Sequence, residues 1–386
     1  MRYEQMSEAL GQLREKNNLR ILPTFRHDGK YACKDGKKML NLSTNDYLGL
    51  AATPSLQESF YQTLHQENCI WSASSSRLLT GNFEAHRQLE TLLARLFGKE
   101  AALTFNSGYH ANSGIVSALA DKNTLIVADK LVHASLIDGI RLSGADCVRY
   151  KHNRYDQLEK ILQERHDRYE SILIVTESVF SMDGDKADLK RLCALKRQYP
   201  HTMLYVDEAH AFGVFGEHGL GCAEEQNCLE DIDILIGTFG KAIASAGAFV
   251  VCRQLVKDYL VNTMRPFIFT TALPPINAMW TQFIIRHLDD FADRREHLQQ
   301  ICRQCIESLR SLGYECQSSS AILPITVGES SKAVRLAEQF QQRGFYVLPV
   351  RPPTVPEGTS RLRLSLTAAL TDADITSLIQ TFQQLL

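Results

Sequence analysis

Between about Asn45 and Cys252, short and wholly apolar runs alternate with amphipathic ones, and this alternation constrains the fold more than any other feature of the chain. AALTF precedes a helical stretch from His110, TLIVAD precedes another from Ala134, and SILIVTES precedes Lys190 to Tyr199; TMLYVDEAH and DILIGTF follow. Apolar runs this short, bounded by helical patterns, are the mark of βαβ units whose strands are buried on both faces of a mostly parallel sheet. The expected fold class is α/β. In such sheets ligands gather at the carboxyl ends of the strands. The polar residues after each strand are therefore the candidates for chemistry: Ser107 to Tyr109, Asp129 to His133, Glu177 to Asp183, Asp207 to His210, and Thr238 to Lys241.

A chain of 386 residues exceeds the size at which a single core stops growing, so two domains are expected. After Pro274 and Pro275 the pattern changes to a long helix from about Ala278 to Leu312. Strands near Ala321 to Val327 and Arg361 to Leu366 follow, and a helix over Asp372 to Leu385 closes the chain. The first 44 residues read as an amphipathic helix and a strand pair around Asp35-Gly36. The boundaries drawn from this are an arm over 1–44, a large α/β domain over 45–270 and a smaller α+β domain over 271–386.

The 42 basic and 44 acidic side chains leave a net charge of −2 with no block of one sign, which argues against a nucleic-acid surface or an anionic membrane partner. The longest uncharged stretch, Phe267 to Ile285, is interrupted by Pro274, Pro275, Asn277 and Gln282 and is not expected to span a membrane. The N-terminal residues lack the apolar centre of an export signal, and the ten cysteines are scattered, so a cytoplasmic location is expected. Cys302 and Cys305 form a CxxC, but within a helical run and without a second pair, so helix packing is expected and no metal site.

Thr238-Phe239-Gly240-Lys241 directly follows an apolar strand and precedes the small-residue run AIASAGA. Small neighbours let a flat ring approach the backbone, and a partly desolvated amine becomes a nucleophile toward aldehydes. Taken alone, a Gly-Lys turn also resembles part of a phosphate loop, although GxxxxGK[ST] is absent. Asp207 ends a buried strand with His210 three residues on. A buried carboxylate can keep a pyridinium nitrogen protonated and so make the ring an electron sink, with His210 near the ring's phenolic oxygen. The competing reading is a helix cap at Asp207 with His210 packed in the first turn. In Asn106-Ser107-Gly108-Tyr109, a turn opening a helix offers free N–H groups to a phosphate, with Gly108 and Tyr109 as the expected contacts. His133 can stack on a ring face or be structural; Ser181 can donate to the phenolic oxygen or stabilise its turn. The order phosphate turn, histidine, strand-end aspartate, lysine raises the joint weight of all four.

With those residues in place, the chain resembles the fold-type I pyridoxal phosphate enzymes, and specifically the α-oxoamine synthases. The likeness runs through NLSTNDYLGL, SSRLLTGN, FNSGYHAN, DKLVHASLIDG, TESVFSMDGD, VDEAHAFGVFGEHGLG, GTFGKA and RPPTVPEGTSRLRLSLTAA. It implies pyridoxal 5′-phosphate held by Lys241 as a Schiff base, Asp207 at the ring nitrogen, His133 on the ring face, and His210 and Ser181 at the phenolic oxygen. Thr238 would join Gly108 and Tyr109 at the phosphate. Arg363 would hold the amino acid's carboxylate, and Arg20, Asn45 and Thr354 match the family's substrate positions. Through SAILPITVGESSKAVRLAEQF and the RPPTVP segment the chain is most similar to the branch that condenses L-alanine with pimeloyl-CoA or a pimeloyl-acyl carrier protein, releasing carbon dioxide, on the way to biotin. Glycine and acetyl-CoA form the alternative substrate pair. The resemblance also implies a homodimer, with residues around Phe269 to Thr271 crossing to the partner. Where relatives carry GxGGSR this chain has SASSSR over Ser72 to Arg77, and AIASAGA replaces a glycine-led run after the lysine.

Overall fold

The computed structural model describes residues 2–65 and 69–386. Three strands come first: β1 (Arg26–Asp28), β2 (Tyr31–Lys34) and β3 (Lys37–Asn41). Seven follow: β4 (Ala101–Phe105), β5 (Thr124–Asp129), β6 (Asp146–Tyr150), β7 (Ser171–Glu177), β8 (Thr202–Asp207), β9 (Ile234–Thr238) and β10 (Ala248–Cys252). The last four are β11 (Ile322–Gly328), β12 (Phe345–Tyr346), β13 (Pro349–Val350) and β14 (Ser360–Ser365). The contacts divide the chain into two compact units, Thr53–Ser181 with Lys186–Arg295, and Met1–Ala52 with Met182–Asp185 and Glu296–Leu386.

The larger unit is built on one seven-stranded sheet in the order β4-β10-β9-β8-β7-β5-β6. From β9 to β6 the neighbours pair in parallel, as the alternating pattern implies, while β10 runs antiparallel to both β4 and β9. Every residue of β4, β5, β9 and β10 is buried, which is why these runs carry no polar alternation. Helices Gly108–Leu119 and Ala134–Ser143 pack against this sheet, sharing a core with Ile126, Val175, Tyr205 and Ile236. The strand that leads to the lysine is held by rings. Phe239 is fully buried and stacks on Phe249 with ring centres 5.4 Å apart, and Phe249 also meets Phe97 and Phe212. Gly237 makes room for this, because a Cβ there would lie 2.3 Å from the Phe249 ring.

In the smaller unit, β1, β2 and β3 form a meander that β12 extends in parallel. Asp35 and Gly36 both take positive φ, 51° and 76°, closing the β2–β3 hairpin in the turn that matches strand twist. A second sheet, β11-β14-β13, packs against helix Ser330–Gln342. Helix Asp372–Leu385 starts at Thr371, whose hydroxyl accepts from the Asp374 N–H in a capping box. The long helix expected from Ala278 to Leu312 is two helices, Pro275–Arg286 and Ala292–Ser311, separated by a 3₁₀ turn over Asp289–Phe291. Arg295 makes the break stable, since its guanidinium donates to the Leu288 carbonyl at 2.6 Å and the Glu217 carbonyl at 2.8 Å. Cys302 and Cys305 are buried on the second helix with their thiols pushed up by burial, that of Cys305 to about 12. Among the described residues no helix is long and apolar enough to cross a membrane.

Two loops around the sheet's carboxyl edge carry measurable consequences. After Lys241, Ala244 sits at φ 50°, in the left-handed region that costs an L-residue about 1–2 kcal/mol. Its carbonyl is fixed there by the Trp280 indole at 2.9 Å. We expect Ala244→Gly to raise unfolding free energy in denaturant titrations by about 1 kcal/mol, after the glycine's larger unfolded-state entropy is counted; a loss would refute strain at this position. After β8, the buried Glu208 carboxyl accepts from the N–H groups of Cys222 at 3.0 Å and Ala223 at 2.7 Å and from Ser178, pinning the loop that carries His210. Burial pushes this carboxyl up to about 7, from the ordinary 4.5. A carboxyl that binds its proton more tightly when folded contributes fully below its unfolded value and loses that contribution as pH rises through its folded one. The melting temperature of the wild type, relative to Glu208→Gln, should therefore fall between about pH 4.5 and 7 and level off above; a difference that stays constant across that window would contradict a proton on Glu208.

Candidate active site

Five strand ends on the carboxyl edge of the larger unit's sheet carry the polar residues singled out from the sequence. Asp207 ends β8 and is 5 % exposed. Both of its oxygens are held: Oδ1 accepts from the Ala209 N–H at 2.8 Å, and Oδ2 accepts from the Asn112 side-chain amide at 2.7 Å. Asn112 is itself fixed, since its Oδ1 accepts from the Tyr205 hydroxyl at 2.7 Å and its amide also reaches Ser135 Oγ at 3.0 Å. Sequence reading gave Asn112 no role. Its signal was its place in FNSGYHAN, one helical turn after Gly108 and so on the same helix face.

The same network sets the protonation of His133. This residue caps helix Ala134–Ser143, with Nδ1 accepting from the Ser135 N–H at 3.2 Å and lying 2.8 Å from Ser135 Oγ. A nitrogen that accepts a backbone N–H carries no proton, so the imidazole is neutral with its hydrogen on Nε2. Burial lowers its pKa, the Asp207 charge partly opposes this, and Lys241 lowers it further. The result is a flat, uncharged ring.

Lys241 follows β9, and its Nζ lies 2.8 Å from His210 Nε2. Thr238 ends the same strand with its hydroxyl donating to the Gly247 carbonyl at 3.0 Å. A Cβ placed on Gly108 would lie 3.8 Å from Thr238 Oγ1, so the turn after β4 and the end of β9 are adjacent. At that turn Ser107 caps helix Gly108–Leu119, accepting from the His110 N–H at 3.2 Å. The Tyr109 hydroxyl donates to Asp138. Ser181 lies in the turn after β7, whose last residue, Glu177, pairs in register with Asp207. The larger unit therefore brings together Gly108, Tyr109, His133, Ser181, Asp207, His210, Thr238 and Lys241. Glu177 is a further buried acid here that the sequence reading left without a role.

The remaining candidates lie in the smaller unit, where they form two pairs. The Arg20 guanidinium donates to Thr354 Oγ1 at 2.9 Å, and Arg363 reaches Asn45 Oδ1 at 3.4 Å through both terminal nitrogens. Arg363 also donates to Ser365 Oγ at 2.7 Å. Burial raises the pKa of the adjacent Tyr47 hydroxyl, against a lowering by the Arg363 charge.

These residues fit pyridoxal phosphate on the chemistry of the donor set. A strand-end carboxylate with both oxygens occupied suits a protonated ring nitrogen, a neutral imidazole suits an aromatic face, an amine beside an imidazole suits an aldehyde, and a capped helix start suits a phosphate. Among the described residues no group of histidine, cysteine and acidic side chains has the arrangement of a metal site.

Residues 37–382 match the family Aminotransferase class I and II. The chain is 53 % identical over 381 residues to the 8-amino-7-oxononanoate synthase of Haemophilus ducreyi, covering 97 % of this chain and 98 % of that one. Among solved structures it is similar to the serine palmitoyltransferase of S. paucimobilis with a bound PLP–myriocin aldimine, at TM-score 0.89 and 31 % identity over 99 % of this chain and 96 % of that one. It is also similar to the 8-amino-7-oxononanoate synthase of Francisella tularensis, at TM-score 0.77 and 30 % identity over 90 % of this chain and 97 % of that one. The chain belongs to the aminotransferase class I and II family and, within it, to the 8-amino-7-oxononanoate synthases.

Proposed function

We propose that this protein makes 8-amino-7-oxononanoate by joining L-alanine to a pimeloyl thioester with loss of carbon dioxide, using pyridoxal phosphate. The observation that carries the reading is the pairing of a doubly hydrogen-bonded Asp207 at one strand end with Lys241 beside His210 at the next, β8 and β9 being parallel neighbours. When bound, the cofactor supplies an aldehyde for amine capture and a protonated ring that draws electrons from the alanine α-carbon. Lys241 is assigned to holding it, Asp207 to the ring nitrogen, His133 to the ring face, and His210 and Ser181 to the phenolic oxygen. Gly108, Tyr109 and Thr238 are assigned to the phosphate.

The amine of Lys241 takes the α-proton of alanine at Nζ and later returns one to the product carbon, and the His210 imidazole 2.8 Å away orients it for both transfers. A carbon–carbon bond forms between the α-carbon and the thioester carbonyl, the thiolate leaves, and the alanine carboxylate departs as carbon dioxide. Arg363 with Asn45 is assigned to that carboxylate before it leaves, because a planar fork suits a two-oxygen partner. Arg20 and Thr354 are assigned to the acyl substrate. The thiol carrier is coenzyme A or an acyl carrier protein. We further assign the protein to the cytoplasm and to a homodimer; support for the latter comes from apolar side chains open on the larger unit, Phe269 at 72 % and Leu79 at 78 % exposure.

The test is spectroscopic. The protein with pyridoxal phosphate should show a visible band that Lys241→Ala lacks, L-alanine should shift it, and pimeloyl-CoA should then release free thiol and carbon dioxide while acetyl-CoA does not. Turnover of glycine with acetyl-CoA instead would move the assignment to the alternative pair, and a wild type with no band would remove the cofactor. Light scattering should give twice the 43.5 kDa of one chain; an active species of single mass would refute the dimer.

A further inference from the structure

Asp129 ends β5, shortly before His133 in the chain, and is fully buried. Donors from two loops converge on its carboxyl. Oδ1 accepts from the Leu131 N–H at 2.8 Å and from His152 Nδ1 at 3.0 Å, and Oδ2 accepts from the Asn153 N–H at 2.9 Å. The first bond closes the turn that leads to His133, in the way an aspartate commonly bonds the backbone two residues on. The other two come from the loop after β6, the parallel neighbour of β5. A carboxyl taken wholly out of water is tolerated where donors replace its hydration, so both loops are tied to one point.

The loop after β6 also reaches the segment that carries Ser181. β5 stands between β6 and β7, so this loop crosses the end of β5, where Asp129 holds it, to meet the residues after β7. The His152 ring packs edge-on against Phe180, with ring centres 4.3 Å apart at 85°, and Phe180, 1 % exposed, directly precedes Ser181. Asn153 holds the chain on its return: its side-chain amide donates to the Lys186 carbonyl at 3.3 Å. Lys186 bridges antiparallel to Val179, and the Ala187 N–H donates to the Ser178 carbonyl at 3.0 Å. Asn153 is oriented in turn by the Tyr155 hydroxyl, which donates to its Oδ1 at 2.8 Å.

We propose that Asp129 is a positioning residue which, through His152 and Asn153, sets the His133 and Ser181 segments at a fixed separation across the ends of β5 and β7. Its consequence for the cofactor rests on the pyridoxal phosphate reading, but its first test does not. Asp129→Asn keeps one acceptor oxygen for the Leu131 turn and turns an amide N–H toward Asn153, breaking that tie. In the cofactor-free protein, hydrogen exchange read by mass spectrometry should then be about tenfold faster over residues 178–181 as well as over 151–154. Acceleration confined to 130–132 and 151–154 would make Asp129 a local brace and overturn the proposal. His152→Phe keeps a ring beside Phe180 without the bond to Asp129, and should also exchange faster over 178–181. Wild-type exchange there would show that packing alone holds Ser181. In the loaded protein, each variant should raise the dissociation constant of pyridoxal phosphate about tenfold, and the double variant also about tenfold in place of a hundredfold, because both act through one tie. Fully additive losses, or wild-type affinity in all three, would overturn the positioning role. A wild type without a visible band would remove the pyridoxal phosphate reading alone, and the exchange result would then decide the proposal.

Discussion

The arrangement turns on keeping one negative charge inside protein. A carboxylate removed from water is tolerated only where hydrogen bonds replace its hydration, and at Asp207 these come from Ala209 in its own turn and Asn112 on a helix. The helix donor dictates much of what lies around it. Asn112 reaches Asp207 because helix Gly108–Leu119 lies close over the sheet, and it is oriented because Tyr205, two residues before Asp207 on β8, donates to its oxygen. The neighbouring helix comes equally close: a Cβ on Gly139 would lie 2.9 Å from the Asn112 carbonyl. Through Ser135 the same amide touches the residue that fixes the His133 tautomer. One charge thus organises two helices, a strand end and an imidazole.

Much of this was legible in the sequence, for a physical reason. Strands buried on both faces must be apolar throughout, so AALTF, TLIVAD and SILIVTE announced themselves, and the polar residues that followed each were necessarily at the sheet's edge. Asp35-Gly36 announced a turn because few other residue pairs accept positive φ twice in succession. Family likeness to the α-oxoamine synthases then supplied roles that residue type alone left open between chemistry and structure.

Other features lay beyond a linear reading. The pairing of Arg363 with Asn45 and of Arg20 with Thr354 joins residues more than 300 positions apart, and periodicity says nothing about such partners. Asn112 received no role because it acts on Asp207, a group that another strand brings near. The single long helix read from 278 to 312 is broken because Arg295 satisfies the Leu288 carbonyl, a side-chain solution that hydrophobic spacing does not register. The departure of SASSSR from the glycine pattern of relatives has a local support: Ser74 holds φ 50° while its N–H and hydroxyl both engage Ser72 Oγ.

The reversed strand also orders the protein's birth. β4, which carries the glycine turn, stands at the edge of the sheet with β10 as its neighbour, and β10 emerges only after the lysine. A nascent chain that stops short of Ala248 therefore holds the turn and the amine on strands with nothing between them to pair, and five residues of sheet, Ala248 to Cys252, unite them when the ribosome has moved on. Any ligand that bridges the two halves binds the finished sheet and not its precursor, so its binding energy is added to the step that completes the fold.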